Sequence, residues 1–481
     1  MEPGKTGAPA GTPEISKARR TIILINACTL TFMATLDGSI VNIALPQISK
    51  ALNVGIESVQ WVVSAYLITI SATLLIWGRL ADLRGRKRFF AAGLAIFTIG
   101  SFLSGISGNL TFLVLSRVLQ ALGASMAMAL VQGIVTSIYP PNERGKALGF
   151  IGAVVSIGSL LGPSLGGFLV HFAGWPSIFF VNVPIGILGV ILTFSVMPES
   201  KKQEGDFDWS GAGVFASLIV VFFVWLLAWQ EGTATPLAMF GGLPLAAALL
   251  VIFLLIERTK KHPLLDGTLF NSSVFTLGII AAWFSYVAMF SYILFMPFYL
   301  QGVRGMTSLS AGLFMSIYPI VTAVLAPVFG SLSDRRGFLP FTVGGLALSA
   351  IGLALLASFG AATPLLLVGA VIALLGLGGA AFQSPNNSSI MGSVPRERLG
   401  VAGSVNSLFR NLGMVSGTTF AVAIFSFTTR ANMNDLAASF DPAVFMRGFR
   451  FVALAASISA LAGSLVNLVR VGTRKSGLEK R

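Results

Sequence analysis

Apolar runs of about twenty residues recur along almost the whole chain, with short polar segments between them. Because about 20 apolar residues in a helix cross the hydrocarbon core of a bilayer, each run predicts a membrane-spanning helix. Lipid offers the backbone no hydrogen-bond partners, and runs of this length favour helices over barrel strands. The predicted spans number fourteen and cover residues 21–45, 60–79, 89–107, 110–132, 147–170, 177–197, 210–229, 237–256, 273–299, 309–330, 340–359, 364–386, 400–427 and 448–469.

The composition and the distribution of charge agree with this pattern. Of the 481 residues, 55% are hydrophobic and only 10% are charged, whereas a soluble domain carries about 25% charged residues. With the N-terminus in the cytoplasm, 25 of the 32 Lys and Arg residues fall on the cytoplasmic side and 5 on the outer side. This bias predicts a multi-pass protein of the cell (cytoplasmic) membrane with both termini cytoplasmic. The net charge of +14 therefore reflects topology, and we expect no nucleic-acid partner.

An internal repeat relates the two ends of the chain. Two glycines, one aspartate and one arginine recur after the second and the tenth predicted spans, at one constant offset. The matched positions are Gly78, Asp82, Arg84 and Gly85 in the first copy and Gly330, Asp334, Arg336 and Gly337 in the second. The repeat predicts two related six-helix halves, an architecture in which one half rocks against the other around a central site. The predicted divisions are 1–20 (disordered cytoplasmic tail), 21–200 (first half), 201–262 (two extra helices), 263–470 (second half) and 471–481 (cytoplasmic tail).

Two of these features resemble a known family. The loop from Gly78 to Lys87 is similar to the loop signature of the major facilitator superfamily, and the first span carries LDGSIVNIALP at 36–46. With fourteen spans, these motifs resemble the superfamily's drug–proton antiporter branch, although Leu83 replaces the basic residue that is usual there. The resemblance implies an all-α integral membrane protein with the major-facilitator fold and no cofactor. It also implies a monomer among membrane lipids that exchanges small lipophilic substrates for protons.

The loop motif has a physical interpretation of its own. Gly78 and Gly85 permit a tight turn where helices approach closely. Asp82 can cap a helix start or pair with Arg84, Arg86 or Lys87. The resemblance implies that Gly78, Asp82, Gly85, Arg86 and Asp334 form a latch that holds one conformation. The alternative is that the basic residues of the loop only enforce the topology.

The charges embedded in the predicted spans are Asp37, Arg117 and Arg410. Such a charge costs roughly 2.5–3.5 kcal/mol on insertion scales, so it usually faces a polar cavity and serves a function there. Asp37 lies about 13 Å below the outer end of its span, counted from Pro46, and Arg117 lies about 12 Å below the same face, counted from Asn109. The matching depths predict an Asp37–Arg117 pair, which is either functional or purely structural.

Two further strings, in the fourth and fifth spans, resemble the same family. Residues 115–124 (LSRVLQALGA) resemble its fourth-helix motif, with Ala121 where a glycine is common. The resemblance implies that Arg117 and Asp37 couple transport to protons. Residues 158–167 (GSLLGPSLGG) resemble the fifth-helix signature of exporters, in which proline kinks the helix and glycines admit close packing; the alternative is ordinary helix packing. The residues of this motif are Gly158, Gly162, Pro163, Gly166 and Gly167.

Several polar residues in or near the spans are candidates for lining a substrate cavity. They are Asn42, Gln120, Gln383, Asn387 and Arg410. Arg410 could bind an anionic group of a substrate or pair with helix carbonyls. Gln383 and Asn387 could instead satisfy backbone groups around Pro385.

The sequence contains no Walker P-loop and no HExxH-type metal motif. ATP-driven transport by this chain alone and metallohydrolase chemistry therefore have no support, and we expect neither a bound metal nor enzymatic activity. The leading hypothesis is a proton-coupled antiporter of the multidrug-efflux type, which exports lipophilic or amphiphilic molecules by alternating access. The alternatives are an exporter of an endogenous metabolite or lipid, and a non-transporting membrane sensor or scaffold.

Overall fold

The fold is built from helices, most of them long enough to cross a bilayer. The computed structural model describes residues 16–54, 56–199, 205–231, 236–260, 263–265, 267–395, 398–429 and 441–478, and no β-strand occurs in these ranges. Residues 1–15 and 479–481 of the predicted tails lie outside them.

Within the described ranges, the long helices number fourteen. In chain order they are α1 (Lys17–Leu52), α2 (Trp61–Arg84), α3 (Arg86–Gly105), α4 (Leu110–Ile138), α5 (Arg144–Ala173), α6 (Asn182–Val196), α7 (Trp209–Glu231), α8 (Pro236–Thr259), α9 (Ser273–Phe298), α10 (Ser308–Arg336), α11 (Leu339–Ala357), α12 (Leu365–Gly392), α13 (Leu399–Thr429) and α14 (Pro442–Leu478). Short helical turns at Ile56–Val59, Pro141–Glu143, Ser177–Phe180, Gly267–Asn271 and Tyr299–Val303 connect or extend them.

These helices confirm the prediction of an all-helical, multi-span membrane protein. Thirteen spans in the described part of the chain are long and apolar enough to cross a membrane. Helix α5, with 30 residues, covers the remaining predicted window. The final helix, α14, continues to Leu478 and so enters the segment 471–481 that was assigned to the cytoplasmic tail.

Helices α1–α6 and α9–α14 form two halves that meet along two seams. In the first half α3 packs on α4, α1 on α5 and α2 on α4, and in the second half α9 packs on α13 and α14, and α11 on α12 and α14. One seam joins α5 to α10 and α12. The other joins α13 to α2 and α4. Relative movement of the halves must therefore separate contacts along both seams.

Glycines bring pairs of helices within each half into close contact. A Cβ at Gly123 in α4 would lie 2.6 Å from the Gly93 carbonyl of α3. In the second half a Cβ at Gly345 in α11 would lie 2.7 Å from the Gly378 carbonyl of α12. Gly93 and Gly345 are separated by the same offset as the loop motifs, so the internal repeat extends into the packing of the halves. Small residues at such crossings let helix backbones approach in lipid.

The extra helices α7 and α8 pack on each other, and α7 lies against the seam between α2 and α13. Phe215 and Ile219 of α7 belong to a buried cluster that includes Ile68 of α2 and Val401 and Val405 of α13. The pair therefore covers one seam from the side and leaves the contact between the two halves intact.

The neighbouring glycines Gly344 and Gly345 give a matched test of this packing. We expect Gly345→Ala to destabilise the protein by about 1–3 kcal/mol, because the new methyl group would press on the α12 backbone. Nothing lies within 4 Å of a Cβ at Gly344, so Gly344→Ala should leave stability unchanged or raise it by up to about 1 kcal/mol. Thermal unfolding of both variants in the same detergent measures the difference, and equal effects would contradict the packing described above.

Candidate functional site

Asp37 lies in the middle of α1 and is fully buried, with 1% of its surface exposed. Its Oδ2 accepts a hydrogen bond from Arg117 Nη1 of α4, which forms an ion pair sealed from solvent. Its Oδ1 accepts from Gln120 Nε2 at 2.9 Å and from Asn182 Nδ2 of α6 at 3.2 Å. The structure thus brings together the two residues that were predicted to pair, and it adds two carboxamides to the carboxylate.

Arg117 is held by groups that do not depend on Asp37. Its Nε donates to the Val62 carbonyl of α2 at 3.0 Å, and its Nη1 also donates to Gln120 Oε1 at 2.6 Å. Its guanidinium carbon lies 4.0 Å from the centre of the Tyr66 ring, a cation–π distance. The guanidinium therefore keeps other partners within reach if the charge of Asp37 is cancelled.

Several polar atoms of this cluster make no hydrogen bond within the described part of the chain. They are Arg117 Nη2, the Tyr66 hydroxyl and Asn182 Oδ1, all of them buried. An unsatisfied buried donor or acceptor costs about 1–3 kcal/mol, so native proteins seldom keep three of them together without a functional reason. The cluster therefore has unused hydrogen-bonding groups next to its carboxylate.

The internal repeat gives this cluster a counterpart in the second half that carries no charge. At the same offset, Met289 takes the place of Asp37 and Tyr318 that of Tyr66. The Tyr318 hydroxyl lies 3.2 Å from Met289 Sδ, and both side chains line a small cavity with Leu375. The charged site of the first half is therefore replaced by thioether, phenol and aliphatic groups in the second.

The loop motif joins the two halves at one end of the bundle, which we call the latch end. Asp82, near the end of α2, accepts hydrogen bonds from the Gly400 amide at 3.2 Å and the Val401 amide at 3.1 Å, at the start of α13. Arg86 Nε donates to the same carboxylate at 3.0 Å. A Cβ at Gly78 would overlap the α13 backbone. A carboxylate of the first half therefore caps a helix N-terminus of the second.

The second copy of the motif makes the reciprocal contact. Asp334, near the end of α10, accepts from the Gly145 amide at 2.9 Å and the Lys146 amide at 3.2 Å, at the start of α5. A Cβ at Gly330 would overlap the Gly145 carbonyl, which also accepts from Ser384 Oγ at 2.9 Å. The same chemistry thus closes both seams at the latch end.

Of the two glycines in the first loop motif, only one forms a turn. Gly85 connects α2 to α3 with a φ of 103°, and its repeat counterpart Gly337 connects α10 to α11 with a φ of 83°. Gly78 lies inside α2, where it permits the close approach to α13 and takes no part in a turn.

Two glycines of the fifth-helix motif, Gly158 and Gly166, face the helix that carries Asp37. A Cβ at Gly158 would lie 3.2 Å from the Phe32 carbonyl of α1, and one at Gly166 would lie 2.6 Å from Ile40 Cγ1. A Cβ at Gly167 would meet nothing within 4 Å. Gly162 is buried and α5 continues through Pro163, whose side chain lies outside the described residues.

Three carboxamides meet between the halves, one layer in from the latch end. Asn406 Nδ2 of α13 donates to Gln132 Oε1 of α4 at 2.9 Å and to Asn387 Oδ1 of α12 at 3.0 Å. We call Gln132, Asn387 and Asn406 the amide triad. Farther along α13, Asn411 Nδ2 donates to Ser71 Oγ of α2 at 3.4 Å. The Asn406–Gln132 and Asn411–Ser71 bonds therefore add to the latch contacts between the two halves.

The five residues that were predicted to line a cavity lie in different parts of the structure. Gln120 belongs to the Asp37 cluster and is fully buried. Asn387 belongs to the amide triad, and Gln383, one turn earlier on α12, points its Nε2 toward Met289 Sδ at 3.9 Å. Arg410 is partly exposed on α13, one turn beyond the triad. The side chain of Asn42 lies outside the described residues.

Arg470 was counted with the cytoplasmic loops, but it is buried inside the second half with 1% of its surface exposed. Its guanidinium donates to Asn386 Oδ1 at 3.0 Å, Asn467 Oδ1 at 3.1 Å and Ser389 Oγ at 2.7 Å. It also lies over the Phe338 ring at 4.6 Å. Sequence reasoning missed this residue because it lies at the apparent end of the last apolar run.

The known proteins that this chain resembles are consistent with this architecture. The chain matches the family model of the Major Facilitator Superfamily over residues 27–418. It is 40% identical to the riboflavin transporter RibZ of Clostridioides difficile (strain 630), over 85% of this chain and 89% of that protein. It is 33% identical to the multidrug resistance protein Stp of Mycobacterium tuberculosis (strain ATCC 25618 / H37Rv), over 81% of this chain and 73% of that protein.

Solved structures show the same fold. The human organic anion transporter MFSD10 (TETRAN) aligns with a TM-score of 0.66 at 16% identity, over 95% of this chain and 100% of that one. The proton:xylose symporter XylE aligns with a TM-score of 0.62 at 16% identity, over 92% and 95%. The family match, together with the two packed halves, identifies the class as multi-pass membrane transporters of small molecules. The chain belongs to the major facilitator superfamily.

The reciprocal caps at Asp82 and Asp334 generate a prediction about conformation. Replacing both residues by Ala should remove two N-caps, each worth about 0.5–2 kcal/mol, and shift the equilibrium toward a separated latch end by about tenfold or more. Spin labels can be attached at the exposed repeat positions Arg84 and Arg336 in a Cys28→Ser background. Double electron–electron resonance would then report the shift as a longer distance between the two labels.

Asp441 provides the control for that measurement. It caps α14 within its own half, accepting from the Ala443 amide at 2.8 Å. The Asp441→Ala variant should keep the wild-type distance distribution. An unchanged distribution in the Asp82→Ala/Asp334→Ala variant would contradict a latch made by these carboxylates.

Proposed function

We propose that this transporter is a proton-coupled antiporter that exports small lipophilic or amphiphilic molecules by alternating access. The observation that carries the proposal is the sealed Asp37–Arg117 pair, with its spare polar atoms, in the middle of a membrane-spanning half. Ionisable residues inside membrane spans are rare and usually belong to ion or proton pathways.

A proton is a direct competitor of Arg117 for Asp37. When Asp37 binds a proton, its charge disappears and the strongest attraction on the guanidinium is lost. The Val62 carbonyl and the Tyr66 ring, 3.0 Å from Arg117 Nε and 4.0 Å from its guanidinium carbon, then hold the cation. The protonation state of one carboxylate is thereby linked to the positions of α1, α2 and α4.

The glycines of α5 carry this local change toward the seams. Gly158 and Gly166 pack directly on α1, and α5 begins at the latch contact with Asp334. A shift of α1 on protonation is transmitted to α5 by direct contact, because the α5 backbone at these glycines lies against the Phe32 carbonyl and the Ile40 side chain of α1. With the predicted cytoplasmic termini, the latch end is the cytoplasmic end, so the described conformation is closed to the cytoplasm.

The names of the relatives support a transporter of organic molecules, but they indicate two different kinds of substrate. One relative is named a multidrug resistance protein, which favours efflux of lipophilic compounds in general. The identity of 40% to a riboflavin transporter favours a second candidate, an exporter of an endogenous metabolite with a flavin-like ring. Both candidates use the same proton machinery and differ in the groups that bind the substrate.

The central test replaces Asp37 by Asn. We expect Asp37→Asn to fold and insert, because Asn can still accept from Gln120 and Asn182, and to lose proton-driven efflux down to the rate of empty liposomes. Proteoliposomes with an imposed pH gradient would be loaded with a panel of neutral lipophilic dyes and riboflavin, and substrate efflux and proton entry would be recorded together.

Asp208, just before α7, supplies the matched control. Burial alone would raise the pKa of Asp208, but hydrogen bonds from Ser210 and Gly211 and the ammonium group of Lys260 outweigh it and lower the pKa below its ordinary value. Asp208 thus stays ionised during the assay, and Asp208→Asn should transport like the wild type. Full gradient-driven efflux by Asp37→Asn would refute the proposed mechanism.

A further inference from the structure

We propose that Asn182 is the hydrogen-bond acceptor for protonated Asp37: when the carboxylate takes up a proton, the Asn182 carboxamide turns over and its Oδ1 accepts the new O–H. The inference deepens the proposed antiport function and rests on it. It assigns Asn182 as a positioning residue of the proton site, and it adds α6 to the helices that respond to the proton.

The contacts of Asp37 in the structure are those of its ionised form. Both carboxylate oxygens act only as acceptors, Oδ2 from Arg117 and Oδ1 from Gln120 at 2.9 Å and Asn182 at 3.2 Å. A protonated carboxyl group is also a donor, and a buried O–H without an acceptor destabilises the state that contains it. Proton uptake therefore requires an acceptor within bonding distance of one of these oxygens.

Two of the three side chains that bond Asp37 are poorly suited to become that acceptor. Arg117 has only donors. The Gln120 carboxamide is committed through both ends, because its Nε2 donates to Asp37 and to Ser101 at 2.8 Å and its Oε1 accepts from Arg117 at 2.6 Å. If this carboxamide turned over, all three of these hydrogen bonds would break and its NH₂ group would point at the guanidinium.

Asn182 is fully buried at the start of α6 and has an acceptor to spare. Its Nδ2 bonds Asp37, whereas its Oδ1 makes no hydrogen bond within the described part of the chain. A half-turn about the bond between Cβ and Cγ exchanges these two atoms without moving the backbone, and this torsion is broad and nearly two-fold. The oxygen then occupies the place of the nitrogen, 3.2 Å from Asp37 Oδ1.

The proton adds to Oδ1 and forms one O–H bond, with no oxidation or reduction. Oδ2 keeps its hydrogen bond from Arg117, and the remaining lone pair of Oδ1 can still accept from Gln120. The titratable or charged groups that the described residues place beside the carboxyl group are Arg117 of α4 and Tyr66 of α2. The Tyr66 hydroxyl bonds none of the described residues, and its ring is held 4.0 Å from the Arg117 guanidinium carbon.

The turn of Asn182 links α6 to the protonation state. In the ionised form α6 is attached to α1 by a hydrogen bond to a negative charge, and in the protonated form by a hydrogen bond between neutral groups. Charge-assisted hydrogen bonds are roughly twice as strong as neutral ones. Proton uptake therefore weakens the attachment of α6 to α1 and preserves its geometry.

Asn26 provides a matched control on the same two helices. It is buried on α1, and its Nδ2 donates to the Gly189 carbonyl at 3.2 Å and to Thr193 Oγ1 at 2.8 Å, both on α6. Its Oδ1, like that of Asn182, makes no hydrogen bond with the described residues. Asn26 lies about 16 Å from Asp37 along α1. It thus shares the burial, the helix pair and the spare oxygen of Asn182 without the carboxyl group.

The test is infrared difference spectroscopy of the purified full-length protein in nanodiscs, with asparagine labelled with ¹³C at the side-chain carbonyl. The pH is lowered stepwise, and a carboxyl C=O band that is absent from Asp37→Asn reports protonation of Asp37. As this band appears, we expect one labelled carbonyl band to move to lower frequency, because a hydrogen bond accepted by a carbonyl oxygen weakens its C=O bond.

Three variants assign that shift. It should be lost in Asn182→Leu and kept in Asn26→Leu. Asn182→Gln removes the label but keeps a carboxamide, so it should also lose the labelled shift, and it serves where the Leu variant fails to fold. A wild-type protein that protonates Asp37 without a labelled shift, or a shift that survives removal of Asn182, would overturn the proposal.

The two proposals can fail separately. If the Asp37 band appears and efflux requires Asp37 while no asparagine carbonyl shifts, the turn of Asn182 is wrong and the antiporter stands. If acidification produces no Asp37 band and Asp37→Asn retains gradient-driven efflux, both proposals fall, since Asn182 then has no O–H to accept.

Discussion

The ion pair between Asp37 and Arg117 is the interaction around which the first half is built. Two charges buried in hydrocarbon are tolerated only when geometry and additional hydrogen bonds offset the loss of water, and removal of one partner of such a pair typically costs about 3–5 kcal/mol. The structure supplies those bonds from two other helices, through Val62 of α2 and Asn182 of α6, and from Gln120 of α4 itself. The first half therefore closes around a polar cluster, and its helices cannot move independently of that cluster.

The contacts that hold the halves together are of a different kind. Asp82 and Asp334 bind backbone amides at helix N-termini, and each interaction with a helix dipole contributes about 0.3–1 kcal/mol, up to about 2 when partly buried. Reversing a conformational equilibrium from 1:99 to 99:1 requires about 5.5 kcal/mol. The summed free energy of the two caps and the few carboxamide hydrogen bonds between the halves is of the same order as that value. The molecule is therefore held closed at the latch end firmly enough to favour one state and weakly enough to leave it.

Hydropathy and charge predicted the helices well, because insertion into lipid depends on composition more than on tertiary detail. Depth along the helix axis also sufficed to predict that Asp37 meets Arg117. Depth does not determine the direction in which a side chain points around that axis. For this reason the contact of Gln120 with Asp37 was not predicted, and Asn182, Tyr66, Gln132 and Asn406 were not identified. Gly78 was misassigned for a related reason, since only tertiary structure distinguishes a glycine that makes a turn from one that admits a neighbouring helix.

The replacement of Asp37 by Met289 in the repeat has a consequence for the work that the transporter can perform. A thioether binds no proton, so the second half has no counterpart of the proposed proton site at this position. If one proton enters per cycle and a neutral molecule leaves, a membrane potential of 100 mV supplies about 2.3 kcal/mol. At about 1.4 kcal/mol per factor of ten, that energy sustains a substrate concentration ratio of roughly fifty across the membrane. The loss of charge from one half would thus set a thermodynamic ceiling on accumulation.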